Sequence, residues 1–125
     1  MVSSIGAGKK AFWESLSQGK SGVSLISSFD TSAFTTKFAG EIKDFDPAAH
    51  ILPKKLKRMD RTTQLAVVAS RMAVQDAGLD LQADGHRERT GVIIGTALAG
   101  VGYILEQHDI LRDRGPMRIN PFTAL

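Results

Sequence analysis

The chain contains no cysteine. Disulfides, cysteine-based zinc sites and thiol nucleophiles are therefore excluded within it. No apolar run approaches the roughly 18 to 20 residues needed to cross a bilayer. The first residues, Met1-Val2-Ser3-Ser4-Ile5-Gly6, show no charged leader followed by an apolar stretch, so no signal peptide is expected. The three histidines, His50, His86 and His108, are not at ligand spacing, and no His-Glu-x-x-His occurs. Nor is there a Gly-x-Ser-x-Gly elbow. The expectation from these absences is a soluble cytoplasmic protein with no metal, no cofactor and no membrane partner.

What is present suits one α/β domain. The 125 residues suffice for a real core but not for two ordinary domains. Hydrophobic residues make up 42% and charged ones 23%, an ordinary globular balance. The net charge is only +3, so the clustering of cations matters more than their total.

Local patterns lay out the elements. Phe12, Trp13 and Leu16 share a face of a helix over residues 9–19, with Gly19 as its stop and Trp13 as a core anchor. Val23-Ser24-Leu25-Ile26 reads as extended, and Asp30 is placed to cap the residues after it. Lys37 to Lys43 alternates as a strand with one solvated face, and Gly40 within it marks a bulge or close approach. Asp46-Pro47 opens a helical turn. The strongest helix spans about Thr62 to Ala77. Its apolar stripe is wide enough to predict burial on most sides, and Gly78 ends it. A polar loop, Gln82 to Arg89, follows. A last helix runs from about Gly100 to Arg114, with Val101, Ile104, Leu105, His108 and Leu111 near one face. His108 there reads as a core or interface histidine. The tail, to Ala124-Leu125, ends on an apolar residue and looks cut mid-structure.

Between the polar loop and the last helix lies Gly91-Val92-Ile93-Ile94-Gly95. A β-branched run this short predicts a strand buried on both faces, as in a parallel sheet. The turn after it would sit at the carboxyl end of that strand, where open α/β sheets place ligands. Leu98 is the one bulky apolar side chain in the turn. Gly95 to Gly100 has the spacing of a phosphate loop, but Val101-Gly102 stands where Lys and Ser/Thr are required. Gly100-Val101-Gly102 opens a dinucleotide fingerprint whose third glycine position is Leu105. Both phosphate readings fail. The densest cation run is Lys54, Lys55, Lys57, Arg58 and Arg61 against Asp60. It reads either as a solvated helix start or as a dock for an acidic protein. Nucleic acid is disfavoured, because no aromatics interleave with the cations.

Several segments, in order, resemble the start of a β-ketoacyl-acyl-carrier-protein synthase. They are Phe12-Trp13-Glu14, Gly19-Lys20-Ser21-Gly22, Phe29-Asp30-Thr31-Ser32, Phe38-Ala39-Gly40 and Lys43-Asp44-Phe45. Lys57-Arg58-Met59-Asp60, Asp76-Ala77-Gly78-Leu79, Gly91-Val92-Ile93-Ile94-Gly95 and Gly115-Pro116 extend the likeness across all 125 residues. The chain looks most like the type II elongating branch, synthase II, and is similar to polyketide ketosynthases.

The resemblance implies an α/β, thiolase-like fold in α-β-α layers, of which residues 1–125 are an incomplete N-terminal half and one partial domain. It implies decarboxylative Claisen condensation of an acyl thioester with malonyl-carrier protein, in fatty acid or polyketide biosynthesis. The family works as a homodimer that meets acyl carrier protein. A cysteine at a helix N-terminus is acylated, and two histidines promote decarboxylation and stabilise developing charge. Those groups and the catalytic lysine belong beyond residue 125, so no catalytic residue is assigned here. The family's first, central strand belongs just before Met1 and is expected to be missing. Leu98, flanked by Ala97 and Ala99 where the family has glycines, matches the gate of the acyl pocket. Lys54, Lys57, Arg58 and Arg118 match the carrier-protein dock. Met117 replaces a neighbouring cation, and Thr123 replaces a pocket aromatic. The expected function is a synthase fragment, inactive alone. The alternative is a non-catalytic remnant that docks carrier protein or pairs with an intact synthase. An anion-binding α/β module is a third, weaker reading.

Overall fold

The computed structural model describes residues 1–83 and 85–123. Asp84 of the polar loop and the Ala124-Leu125 tail lie outside the described residues. The first strands, β1 (Val2–Ser3) and β2 (Gly6–Ala7), pair antiparallel with Val2 opposite Ala7 and Ser3 opposite Gly6. The Ser3 hydroxyl donates to the Gly6 carbonyl at 3.0 Å and closes the turn. Helix α1 (Lys9–Ser17) follows at once and lies hard against β2. A Cβ on Gly6 would fall 2.9 Å from the Ala11 carbonyl carbon and the Phe12 nitrogen, so only glycine fits there. Gly19 stops α1 as expected. Its amide and that of Lys20 donate to the Leu16 and Ser15 carbonyls at 3.0 and 2.9 Å, a Schellman motif.

Strands β3 (Ser24–Leu25) and β4 (Phe38–Ala39) form a second antiparallel pair, Ser24 opposite Ala39 and Leu25 opposite Phe38. Glu41 fastens it. Its carboxylate accepts the Ser27 amide at 2.8 Å, the Ser27 hydroxyl at 3.0 Å and the Ser28 amide at 3.0 Å. Lys43 adds an ion pair to Glu41 at 3.4 Å and a bond to the Leu25 carbonyl at 3.0 Å. Asp30 caps its turn as expected, accepting from the Ser32 amide and hydroxyl, both at 2.9 Å.

Pro47–Ala49 is a 3-10 turn that opens on proline. Three further helices follow: α2 (Pro53–Leu56), α3 (Arg61–Asp76) and α4 (Val101–Arg114). Gly78 ends α3 in the manner of Gly19, with Gly78 and Leu79 donating to the Gln75 and Val74 carbonyls. The chain divides into two compact units, Met1–Asp46 with Arg71–Leu79 and Pro47–Ser70 with Asp80–Leu125. In the first unit the buried hydrophobic side chain is Phe45; in the second they are Ile51 and Val68.

Several expectations about burial are corrected. Val92-Ile93-Ile94 is not a strand, and Ile93 is 97% exposed. A strand buried on both faces needs a hydrogen-bonding neighbour on each side. The described strands are consumed in two separate antiparallel pairs, so none flanks this run and no α-β-α layering forms among the described residues. Trp13 is 66% exposed and anchors no core. On α3 only Val68 is buried, the rest of its stripe being half-covered or open. Helix α4 turns an unexpected face inward: Tyr103 and Ile110 are half-buried and Gln107 is buried, while Val101, Ile104, Leu105, His108 and Leu111 face solvent. Gln107 is held there because its Oε1 accepts the Asn120 amide at 2.8 Å.

Candidate functional site

The second unit contains a cleft of about 550 Å³. Its walls come from the end of the basic run (Arg58, Met59, Asp60), the start of α3 (Thr63), the start of α4 with the loop before it, and the tail. Arg58 sits just past α2, whose sequence Pro53-Lys54-Lys55-Leu56 starts on a proline and is followed by Lys57 as its C-cap. The guanidinium of Arg58 lies 4.7 Å from the centroid of the Phe122 ring. At a partly open site such a contact contributes about 0.5–1 kcal/mol, and it fixes where the charge points.

Asp60 is the cleft's acid. It caps α3: Oδ1 accepts the Thr63 amide at 2.9 Å and Oδ2 the Thr62 amide at 3.3 Å. Burial works to raise its carboxyl, but hydrogen bonds from Thr63 and Thr62 outweigh it and leave it below the usual carboxylate range. Across from it, Gly100 opens α4 at φ 70°, a left-handed conformation that favours glycine. Tyr103 and Ile104 from the first turn of α4 complete that wall.

The residues expected to matter are only partly gathered. Arg58 and Ala99 line the cleft, and so does Thr123. Leu98 is 75% exposed, and Ala97 is also open; neither lines the cleft. Lys54, Lys57 and Arg118 are exposed and outside it, Arg118 on the 3-10 turn Pro116–Arg118 beside Met117. Sequence reasoning missed Asp60, Gly100, Tyr103 and Phe122 as site residues. For Asp60 the signal was present: an Asp followed by Arg-Thr-Thr at the head of a helical pattern is an N-cap. Among the described residues no group of three or more His, Asp or Glu could hold a metal ion, and no helix is long and apolar enough to cross a membrane.

A cleft with one acid and one aromatic-stacked cation does not define a reaction. Comparison with known proteins supplies the context. The model of the β-ketoacyl synthase N-terminal domain matches residues 1–125. The chain belongs to that family. A 3-oxoacyl-[acyl-carrier-protein] synthase 2 of Staphylococcus aureus (strain N315) is 41% identical over 121 residues, 97% of this chain and 29% of the relative. The synthase of the same name from Synechocystis sp. (strain ATCC 27184 / PCC 6803 / Kazusa) is 40% identical over 97% of this chain and 29% of its own length. The solved ishigamide ketosynthase/chain length factor matches with a TM-score of 0.66 and 33% identity, over 98% of this chain and 30% of that one. The chain thus spans about 29% of the length of the curated relatives it matches. At a TM-score of 0.66 over nearly the whole chain, the ketosynthase architecture is present in part.

Proposed function

We propose that this chain is a partial domain of a 3-oxoacyl-[acyl-carrier-protein] synthase of the type II elongating branch, and that it does not condense acyl groups alone. The observation that carries the reading is 41% identity to a synthase of that name across 97% of the chain. The reaction joins an acyl thioester to malonyl-carrier protein with loss of carbon dioxide. It needs a thiolate nucleophile, and none of the 125 residues is a cysteine. These residues would serve substrate handling. Leu98, between Ala97 and Ala99, gates the acyl pocket. Lys54, Lys57, Arg58 and Arg118 meet the acidic carrier protein, with Arg58 held in place by Phe122. The working enzyme is a cytoplasmic homodimer.

The test is a chimera. Residues 1–125 replace the matching segment of the Staphylococcus aureus relative, and elongation is followed by mass spectrometry. The chimera yields elongated product and the isolated chain yields none. Product from the isolated chain overturns the proposal. Charge reversal at Lys57→Glu and Arg58→Glu removes salt-sensitive capture of the chain by acyl carrier protein. Undiminished capture overturns the docking assignment.

A second reading, a non-catalytic partner that pairs with an intact synthase, is favoured by one observation. Val92, Ile93, Ile94, Leu98 and Met117 are all large apolar side chains left exposed. The chain alone is expected to oligomerise or to be poorly soluble. A sharp monomeric sizing profile with a cooperative melt contradicts that expectation.

A further inference from the structure

We propose that Asp60 is a positioning residue for the loop at residues 97–100, acting as a bracket between the start of α3 and the start of α4. The functional consequence rests on the reading of Leu98 as the acyl gate; the structural bracket does not. Helix α4 opens without a side-chain cap and with no acid in its first turn. Its N-cap residue, Gly100, ends the loop that carries Leu98. A Cβ built on Gly100 would lie 3.3 Å from Asp60 Oδ2 and 3.8 Å from Asp60 Cγ, with no other atom among its contacts. The open side of Gly100 therefore faces the Asp60 carboxylate alone.

That carboxylate is not free to swing away. Thr63 and Thr62 amides hold its two oxygens at 2.9 and 3.3 Å. One side chain thus satisfies orphan donors of α3 and fills the space against the backbone that starts α4. A negative charge there also favours the positive ends of both helices. The first backbone bond of α4, from the Ile104 amide to the Gly100 carbonyl at 2.9 Å, begins at the bracketed residue. Moving Asp60 frees Gly100, and moving Gly100 frees the loop before it. The alanines beside Leu98 make this bracket more consequential, since they leave the loop fewer backbone conformations than glycines would.

Substitutions at position 60 separate capping from bracketing. Asp60→Ser keeps a good N-cap for α3 but is too short to reach Gly100. Asp60→Asn keeps both the cap and the reach. Hydrogen exchange of the full 125-residue chain, read by mass spectrometry, compares peptides from residues 97–105 and 62–72. In Asp60→Ser, protection of the first falls about tenfold while the second stays within about twofold. Asp60→Asn preserves both. Gly100→Ala loses the first from the other side, because a side chain is strained at a left-handed φ and its Cβ presses on the carboxylate at 3.3 Å. A serine variant that leaves residues 97–105 unchanged, or loosens both peptides alike, overturns the bracket. In the chimera, Asp60→Ser broadens the product chain lengths while the shortest acyl donor still turns over. If exchange behaves as stated but the chimera's chain lengths do not change, the gate reading of Leu98 fails and the bracket stands.

Discussion

Two stretches of this chain carry strand-like sequence and meet opposite fates. Residues 24–43 contain a short ladder, with β3 on β4 and Glu41 gathering three donors from the loop beside it. Residues 91–96 hold the more apolar run and form no strand. The difference is not propensity, because β-branched residues are denser in the second stretch. It is access to a partner. β3 finds β4 across the loop at residues 26–37, at the cost of one loop closure. Val92-Ile93-Ile94 suits a central position, which needs neighbours on both edges and cover on both faces. A central strand is defined by what surrounds it, so its sequence cannot build it alone.

The sharpest way to break that comparison is to charge the unpaired run. Ile93→Asp should leave hydrogen-exchange protection of α1 and α3 in the isolated chain unchanged within about twofold, since the side chain is already exposed. In the synthase chimera, where the run gains neighbours, the same change should cost roughly 3 kcal/mol or more and abolish elongation. Equal effects in both settings would erase the distinction. Next in size is Gly6→Ala. The added Cβ meets the backbone of Ala11 and Phe12, so β2 or α1 must shift, at about 1–3 kcal/mol by chemical denaturation. A neutral outcome would mean that contact is soft.

A smaller effect probes the ladder through acid. Hydrogen bonds from Ser28 and Ser27 draw the Glu41 carboxyl down from its usual 4.5 to about 2. A depressed carboxylate stabilises the fold above its unfolded pKa and loses that contribution as pH falls through the folded one. The β3–β4 region should therefore loosen between pH 4.5 and about 2, with no matching change at residues 91–96. Glu41→Gln should remove this acid step, and nuclear magnetic resonance titration reads it directly. The smallest expected effect is at Trp13→Ala, within about 0.5 kcal/mol in the isolated chain because the ring is exposed. A larger loss in the chimera would show that Trp13, like Ile93, waits for a neighbour.

Local chemistry was legible in the sequence where a few adjacent residues decide the outcome. Gly19 and Gly78 stop their helices, Asp30 closes its turn, and Pro47 opens its own. What could not be read depends on distant company. Trp13 was expected inside and is outside, and α4 turns Tyr103, Gln107 and Ile110 inward where hydrophobicity pointed to Ile104 and Leu105. The cleft shows the same divide. Arg58 and Ala99 were singled out by family likeness, whereas Phe122 reaches Arg58 only through the fold. Asp60 looked like one acid in a basic run, because its meeting with Gly100 spans forty positions of sequence.

Gln107 has a consequence of its own. Apolar contacts between a helix and a tail can slide, trading one neighbour for the next at little cost. A buried amide accepting a single backbone N–H cannot. The tail after Pro116 therefore has one register along α4 rather than a range, and a shift of one residue would strand a buried oxygen. Alignment here is digital, set by one bond, while the surrounding hydrophobic surface stays free to be repacked.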